Sequence, residues 1–220
     1  DSLGVRRLAA VAGPSLGGYQ ALQWAVSHPE MVDRVVAAVT APYNPAGAVS
    51  SGPLQARLSA EPAWNDGHPA PGAMVELLTA LRIDTLTRYG VDAELTPRIP
   101  DPAQRAAEIR RLARHWAEGF DPGSLVTLAL AAEAFDLRAQ LASIRAPLLI
   151  VNSRTDAVFS PQLVREFAPL LDAAAVPWSY VELDSEKGHF ASGADAHLWA
   201  GVLREFMATD PARWVSWGLR

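Results

Sequence analysis

The sequence predicts an α/β fold: a mostly parallel sheet flanked by helices, interrupted by a long helical insertion. Two observations carry this. Short runs apolar on both faces alternate with segments of helical periodicity, as in a parallel sheet covered by helices. A stretch of almost a hundred residues then breaks that alternation and contains no convincing strand, which is too long for a connecting loop. The expected core is residues 1–45 with 143–220, and the expected insertion is residues 46–142.

The elements follow in order. Arg7-Leu-Ala-Ala-Val-Ala-Gly13 is an apolar run ending in glycine and reads as a buried strand. Residues 16–28 follow as a helix with Leu22, Ala25 and Val26 on one face, stopped by Pro29 because the residue before proline avoids helical angles. Val32 to Ala41 is a second strand candidate, rich in β-branched residues. Within the insertion, Ser51-Gly52-Pro53, Asn65-Asp66-Gly67 and Ala70-Pro71-Gly72 signal turns, and helical periodicity covers residues 73–88, 102–118 and 123–141. Pro147 to Asn152 and Trp178 to Leu183 supply two more strands, with helices at 160–173 and 193–208. Strand–helix–strand units of this kind pair in parallel through right-handed crossovers.

Composition narrows the function. Of 220 residues, half are hydrophobic and a fifth charged, the ordinary globular balance. The net charge of −5 provides no electrostatic footprint for nucleic acid. The densest basic piece, Arg105, Arg110, Arg111 and Arg114, reads as a solvated helix face. With no cysteine, disulfide frameworks, cysteine–zinc sites and thiol nucleophiles are excluded. The lack of cysteine suits a cytoplasmic location. No apolar run approaches the roughly 18–20 residues of a membrane helix. No H-E-x-x-H or clustered His/Asp pattern points to a metal, and no bound cofactor is implied.

One turn carries chemistry. Gly13-Pro14-Ser15-Leu16-Gly17 matches G-x-S-x-G between a strand and a helix. Glycines on both sides of the serine let backbone approach closely, and the helix N-terminus favours developing negative charge. A hydroxyl nucleophile needs a base, and the base an orienting acid. Of the five histidines, only His189 lies just beyond a strand. Asp156 follows the 147–152 strand and is the preferred acid over Asp184, a turn residue, and Asp136, which belongs to the insertion. The order Ser15, Asp156, His189, each just past a strand, is much more specific than the serine motif alone.

These stretches resemble the α/β-hydrolase superfamily, and within it the homoserine O-acetyltransferase-like group. The likeness lies in Gly13-Pro-Ser-Leu-Gly-Gly-Tyr-Gln-Ala-Leu-Gln-Trp-Ala25, His28-Pro-Glu-Met-Val-Asp-Arg34, Phe120-Asp-Pro-Gly-Ser-Leu125, Ser153-Arg-Thr-Asp156 and Gly188-His189. The resemblance implies acyl transfer through an acyl-serine, with Ser15 as nucleophile, His189 as base and Asp156 as orienter. The Leu16 N–H would be one oxyanion donor. The second donor of this fold comes from a loop after an earlier strand, which is not in this chain. The sheet expected here therefore corresponds to the C-terminal half of the fold, and the chain is expected to be a fragment whose natural N-terminus is absent. The insertion would act as a lid.

The homoserine enzymes commonly carry an aspartate after the histidine; this chain has Phe190 there. Arg82, Arg88 and Tyr89 in the insertion are only loosely similar to the family's substrate region, and with Phe190 they are the candidate substrate-binding residues. The expected function is an O-acyltransferase or a carboxylic ester hydrolase acting on a small-molecule ester or alcohol, with an acyl-coenzyme A as co-substrate in the former case. The alternatives are a non-catalytic binding protein on the same scaffold or an inactive fragment. No nucleic-acid or membrane partner is expected; a homodimer is compatible with the sequence.

Overall fold

The computed structural model describes residues 4–46 and 48–219. The chain divides into two compact units, residues 1–45 with 135–220, and residues 46–134.

The first unit is built on a four-stranded sheet of order β1-β2-β3-β4, all parallel. The strands are β1 (Val11–Pro14), β2 (Val35–Ala38), β3 (Leu148–Ser153) and β4 (Trp178–Leu183). Every residue of β2 and β3 is buried, as expected of central parallel strands. In register, Pro14 pairs with Ala38, and Ala38 with Val151. All four strands therefore end at one carboxyl edge.

Helices α1 (Leu16–Ser27) and α7 (Pro161–Ala173) connect β1 to β2 and β3 to β4. One core cluster joins Val36, Ala38, Leu149, Val151 and Leu183 to Phe206, with Trp199, Trp214 and Trp217 packed partly buried against it. Full burial of each such aliphatic or phenyl side chain contributes about 1.5–3 kcal/mol. The outer edge of β4 is occupied by the C-terminal residues: Tyr180 N donates to Gly218 O at 3.1 Å, and Gly218 N to Trp178 O at 3.2 Å. These bonds satisfy backbone groups that an open edge would leave unpaired.

Several sequence expectations are corrected. The first strand is shorter than residues 7–13; its N-terminal part keeps one isolated bridge, Leu8 to Val32. The second ends at Ala38 rather than Ala41, because Val39 takes a φ of 44° and leaves the ladder. It begins at Val35 rather than Val32, just after Arg34, whose buried guanidinium donates to the carbonyls of Phe206, Thr209 and Ala9. The helix expected over 193–208 is divided into α8 (Ala191–Ala194), a 3₁₀ turn at Ala196–Leu198 and α9 (Ala200–Ala208). The break falls at Asp195, whose carboxylate is committed to Ser185 and Lys187.

The second unit holds α2 (Ser51–Ser59), α3 (Val75–Tyr89), α4 (Val91–Leu95), α5 (Pro102–Gly119) and α6 (Pro122–Glu133) around Leu58, Met74, Leu78 and Ala117. Two of these starts are sequence-encoded by Asp-Pro. Asp101 accepts from Gln104 N at 2.8 Å and Asp121 from Ser124 N at 2.5 Å, each with proline at the first helical position. Ser51-Gly52-Pro53 is not a turn but the first turn of α2. Proline is tolerated there because the first N–H groups of a helix have no intrahelical acceptor.

The helix expected over 123–141 stops at Glu133. Beyond it the backbone pairs with the segment after β2: Asn44 N donates to Phe135 O, and Leu137 N to Pro42 O. Residues 135–142 thus pack in the first unit, and the division falls at 134 rather than 142.

Candidate active site

The three candidate residues of the serine motif, the acid and the histidine all stand at the carboxyl edge of the sheet. Ser15 follows β1 directly, Asp156 lies three residues past β3, and His189 lies six past β4. Parallel pairing places those loops on one side of the sheet.

Ser15 is the N-cap of α1 with φ 54° and ψ −120°, a conformation rare for a residue with a Cβ. It is gripped from both sides. Its N–H donates to Ala38 O at 2.9 Å, and its carbonyl accepts from Gly18 N at 2.9 Å, Tyr19 N at 3.2 Å and the Thr40 hydroxyl at 3.0 Å. The glycines are sterically required. A Cβ on Gly13 would lie 2.2 Å from Gly17 O, and one on Gly18 would lie 2.4 Å from Thr40 Cγ2. Leu16 is the first residue of α1, so its N–H has no acceptor within its own helix.

Asp156 is 2% exposed and His189 7%. One carboxylate oxygen, Oδ1, accepts from Val158 N at 2.7 Å and Phe159 N at 3.0 Å. The other, Oδ2, lies 2.8 Å from His189 Nδ1. An ionised carboxylate only accepts, so Nδ1 donates and the basic lone pair resides on Nε2. This is the tautomer a histidine base requires.

The two loops are sewn together beneath the imidazole. Thr155 Oγ1 donates to Ser185 O at 2.8 Å and accepts from Gly188 N at 3.1 Å. Gly188, at φ 55°, makes the turn into His189 without a Cβ penalty. Lys187 N donates to Ser185 Oγ, which in turn donates to Asp195 Oδ2 at 2.6 Å. On the surface Arg154 pairs with Asp184 and Glu186, while the carboxylate beside the imidazole is that of Asp156.

An aromatic run links the histidine to the serine helix. Phe159 stacks on His189 with centroids 5.7 Å apart and meets the Tyr19 ring edge-on at 6.0 Å; Tyr19 stacks on Phe135 at 4.0 Å. Tyr19 lies one helical turn beyond Ser15. Burial pushes its phenol well above the usual tyrosine range, so it stays a neutral donor, directed at Tyr43 O and Asn44 Oδ1. Thr40, Thr155 and Phe159 were not evident from sequence as site residues. The only signal was position: each lies within a few residues of a strand's carboxyl end.

The remaining candidates have other engagements. Arg82, in α3, stands over the Trp116 ring at 5.1 Å, and burial lowers its pKa. Arg88 donates to Ala48 O at 2.9 Å, and Tyr89 ends α3. All three belong to the second unit. Phe190 closes the 3₁₀ turn that carries His189. Asp136 is paired with Arg138. Among the described residues no cluster of three or more His, Cys, Asp or Glu could hold a metal, and no helix is long and apolar enough to cross a membrane.

Comparison with known proteins agrees with this architecture. No protein-family model matches the chain. It is 28% identical over 230 residues to a homoserine O-acetyltransferase of Methanohalobium evestigatum, covering 94% of this chain and 47% of that protein. It is 31% identical over 231 residues to a homoserine O-succinyltransferase of Leptothrix cholodnii, covering 94% and 61%. The chain thus spans about half to three fifths of the length of these relatives. Among solved structures, the homoserine O-acetyltransferase from Bacillus anthracis superposes with a TM-score of 0.82 at 24% identity, over 96% of this chain and 62% of that one. With its parallel sheet and its loops gathered at one edge, the chain has the fold of these α/β-hydrolase structures, and in sequence it is similar to the homoserine O-acyltransferases.

Proposed function

We propose that this chain carries serine-based acyl-transfer chemistry, moving an acyl group from a small ester or an acyl-coenzyme A to an alcohol, or to water. The observation that carries the reading is the buried Asp156–His189 hydrogen bond of 2.8 Å at the sheet edge that also bears the glycine-walled Ser15 turn. In the proposed reaction Ser15 Oγ bonds to the acyl carbon and its proton passes to His189 Nε2. Asp156 stabilises the imidazolium so formed. The carbonyl electrons move onto oxygen, which the Leu16 N–H at the helix N-terminus would stabilise. Collapse of the intermediate breaks the bond to the leaving alkoxide or thiolate, which takes the proton from His189. An acceptor hydroxyl then repeats the sequence in reverse and frees Ser15. Water in place of the alcohol gives hydrolysis, so exclusion of water decides between the two outcomes.

A fluorophosphonate probe tests this reading. A single covalent adduct on Ser15, lost in Ser15→Ala and His189→Gln, is expected. Absence of any adduct from wild-type protein would overturn it in favour of a binding role or an inactive fragment. Release of free coenzyme A from acetyl- or succinyl-coenzyme A, measured with and without homoserine and beside cleavage of p-nitrophenyl acetate, then separates transfer from hydrolysis.

A further inference from the structure

The end of β2 does more than pair with β1. We infer that Thr40 is a positioning residue whose hydroxyl sets the direction of the Leu16 N–H, an inference that rests on the roles proposed above for Ser15 and Leu16. The carbonyl of Ser15 and the N–H of Leu16 belong to one peptide unit. That unit is planar and trans, so the two groups point in opposite directions and turn together. Whatever fixes the carbonyl therefore aims the N–H.

The helix holds this carbonyl along its own axis, through Gly18 N and Tyr19 N. Those bonds move with the first turn of α1. The Thr40 hydroxyl, 3.0 Å from the same oxygen, comes instead from the end of the sheet. Together with the Ser15 N–H bond to Ala38 O, it ties both sides of Ser15 to the β2 end, at Ala38 and Thr40. The N–H bond needs only backbone and places no demand on sequence. The carbonyl bond needs a hydroxyl at one position.

Three independent features serve that hydroxyl. Val39, 1% exposed, takes φ 44°, an outlying conformation for a β-branched residue, and turns the chain out of the ladder just before Thr40. Its N–H is held by Val151 O at 2.7 Å, so the turn is anchored on the neighbouring strand. Gly18 leaves the slot into which the Thr40 side chain fits; any Cβ there would lie 2.8 Å from Oγ1 and closer still to Cγ2. Strained backbone persists where surrounding bonds over-determine it, and such residues concentrate at functional sites. An additional hydrogen bond on the carbonyl also polarises the peptide and strengthens the N–H as a donor.

The test compares Thr40→Val, which keeps the shape and removes the hydroxyl, with Thr40→Ser, which keeps the hydroxyl. Two readouts are used: the rate of Ser15 phosphonylation, whose phosphoryl oxygen requires the same donor as an oxyanion, and the residual dipolar coupling of the Leu16 N–H in ¹⁵N-labelled protein. Loss of a whole oxyanion donor costs ~10²–10³; misdirecting one is expected to slow Thr40→Val by about tenfold, a fraction of that limit. Thr40→Ser is expected within about threefold of wild type, with the wild-type Leu16 coupling. Thr40→Val should change the Leu16 coupling while those of later residues in α1 stay fixed.

Wild-type labelling and coupling in Thr40→Val would overturn the inference. Equal slowing in Thr40→Ser would also overturn it, since the lost methyl would then be responsible. If Thr40→Val does not fold, Thr40→Ala takes its place: it removes the hydroxyl and adds no new group, and the same slowing is expected. Wild-type protein that takes no label refutes the nucleophile, whereas the Leu16 coupling still decides whether Thr40 orients the peptide.

Discussion

Replacing Asp156 by asparagine changes one atom and asks whether the imidazole is held in its working tautomer. The structure fixes how the new amide must sit. Two backbone N–H groups, of Val158 and Phe159, donate to Oδ1, so the amide oxygen has to remain on that side. Its NH₂ then faces His189 Nδ1 in place of the carboxylate Oδ2. A donor opposite Nδ1 forces that nitrogen to accept, and the ring proton moves to Nε2. The base has then lost the lone pair that receives the serine proton. An equivalent substitution in a serine protease lowers turnover ~10⁴-fold. At 1.36 kcal/mol per tenfold that is about 5.4 kcal/mol of barrier. The stability cost is smaller: three charge-assisted bonds become neutral, at about 1 kcal/mol each. The protein should therefore remain folded while Ser15 labelling and p-nitrophenyl acetate cleavage fall about 10⁴-fold. Histidine ¹⁵N shifts should show Nδ1 changing from a protonated to an unprotonated nitrogen. Labelling within about tenfold of wild type, or an Nδ1 that keeps its proton, would refute the tautomer argument.

Three further outcomes follow from packing and charge. Gly13→Ala puts a methyl 2.2 Å from the Gly17 carbonyl oxygen, a backbone atom that cannot give way cheaply, so a loss of about 3 kcal/mol in urea unfolding is expected together with loss of Ser15 labelling; an unchanged midpoint would show that the turn has more room. Arg34→Met leaves the carbonyls of Ala9, Phe206 and Thr209 without their donor, which should cost about 3 kcal/mol while the Asp156–His189 hydrogen bond, read by the Nδ1 proton resonance, is retained. Asp195 accepts from Lys187 Nζ and Ser185 Oγ, which hold its carboxyl below the ordinary aspartate value. Its stabilising contribution is thus complete above the unfolded value of about 3.9 and is lost as pH falls through the lower folded value. The urea midpoint of wild type should decline more steeply below pH ~4 than that of Asp195→Asn, and parallel profiles would refute the link.

What the sequence reveals follows from where the signal is local. β3 is readable as a continuous apolar run and β4 as a short run rich in aromatic and β-branched residues, with nothing in either to bend the chain, and they fall within a residue of expectation. The ends of β2 are not readable. Val39 is a strong strand former by type, yet it takes a positive φ with its N–H bonded to Val151 O on the neighbouring strand, which nothing in the local sequence marks. The second-unit helices are readable where Asp-Pro marks their start and misread at Ser51-Gly52-Pro53, where turn residues occupy a helix's first turn. Beyond Ala134 the composition still suits a helix, but Phe135 O and Leu137 N find partners across the chain in Asn44 and Pro42, and only a 3₁₀ turn, Arg138–Ser143, follows. The Asp156–His189 pair is readable from the rule that loops at the carboxyl end of parallel strands converge. The hydroxyl of Thr40 is invisible to that rule, since nothing local distinguishes a threonine that holds a carbonyl from one that ends a strand.

That difference has a physical origin. A base and its acid must meet side chain to side chain, so the chemistry restricts residue type at both positions. Support for a strained turn makes a weaker demand, because backbone can supply most of it. Around Ser15 the strain of a positive φ is opposed by bonds from Ala38, Gly18 and Tyr19, all made by main-chain atoms, and by one side chain, Thr40. The glycines at 13 and 18 act by what they lack, leaving space for a carbonyl and for a threonine. A substitution at either glycine alters the nucleophile's turn without touching a reacting group. The supporting turn should therefore tolerate Thr40→Ser but not Gly18→Ala, although the first changes a side chain that touches Ser15 and the second one that does not.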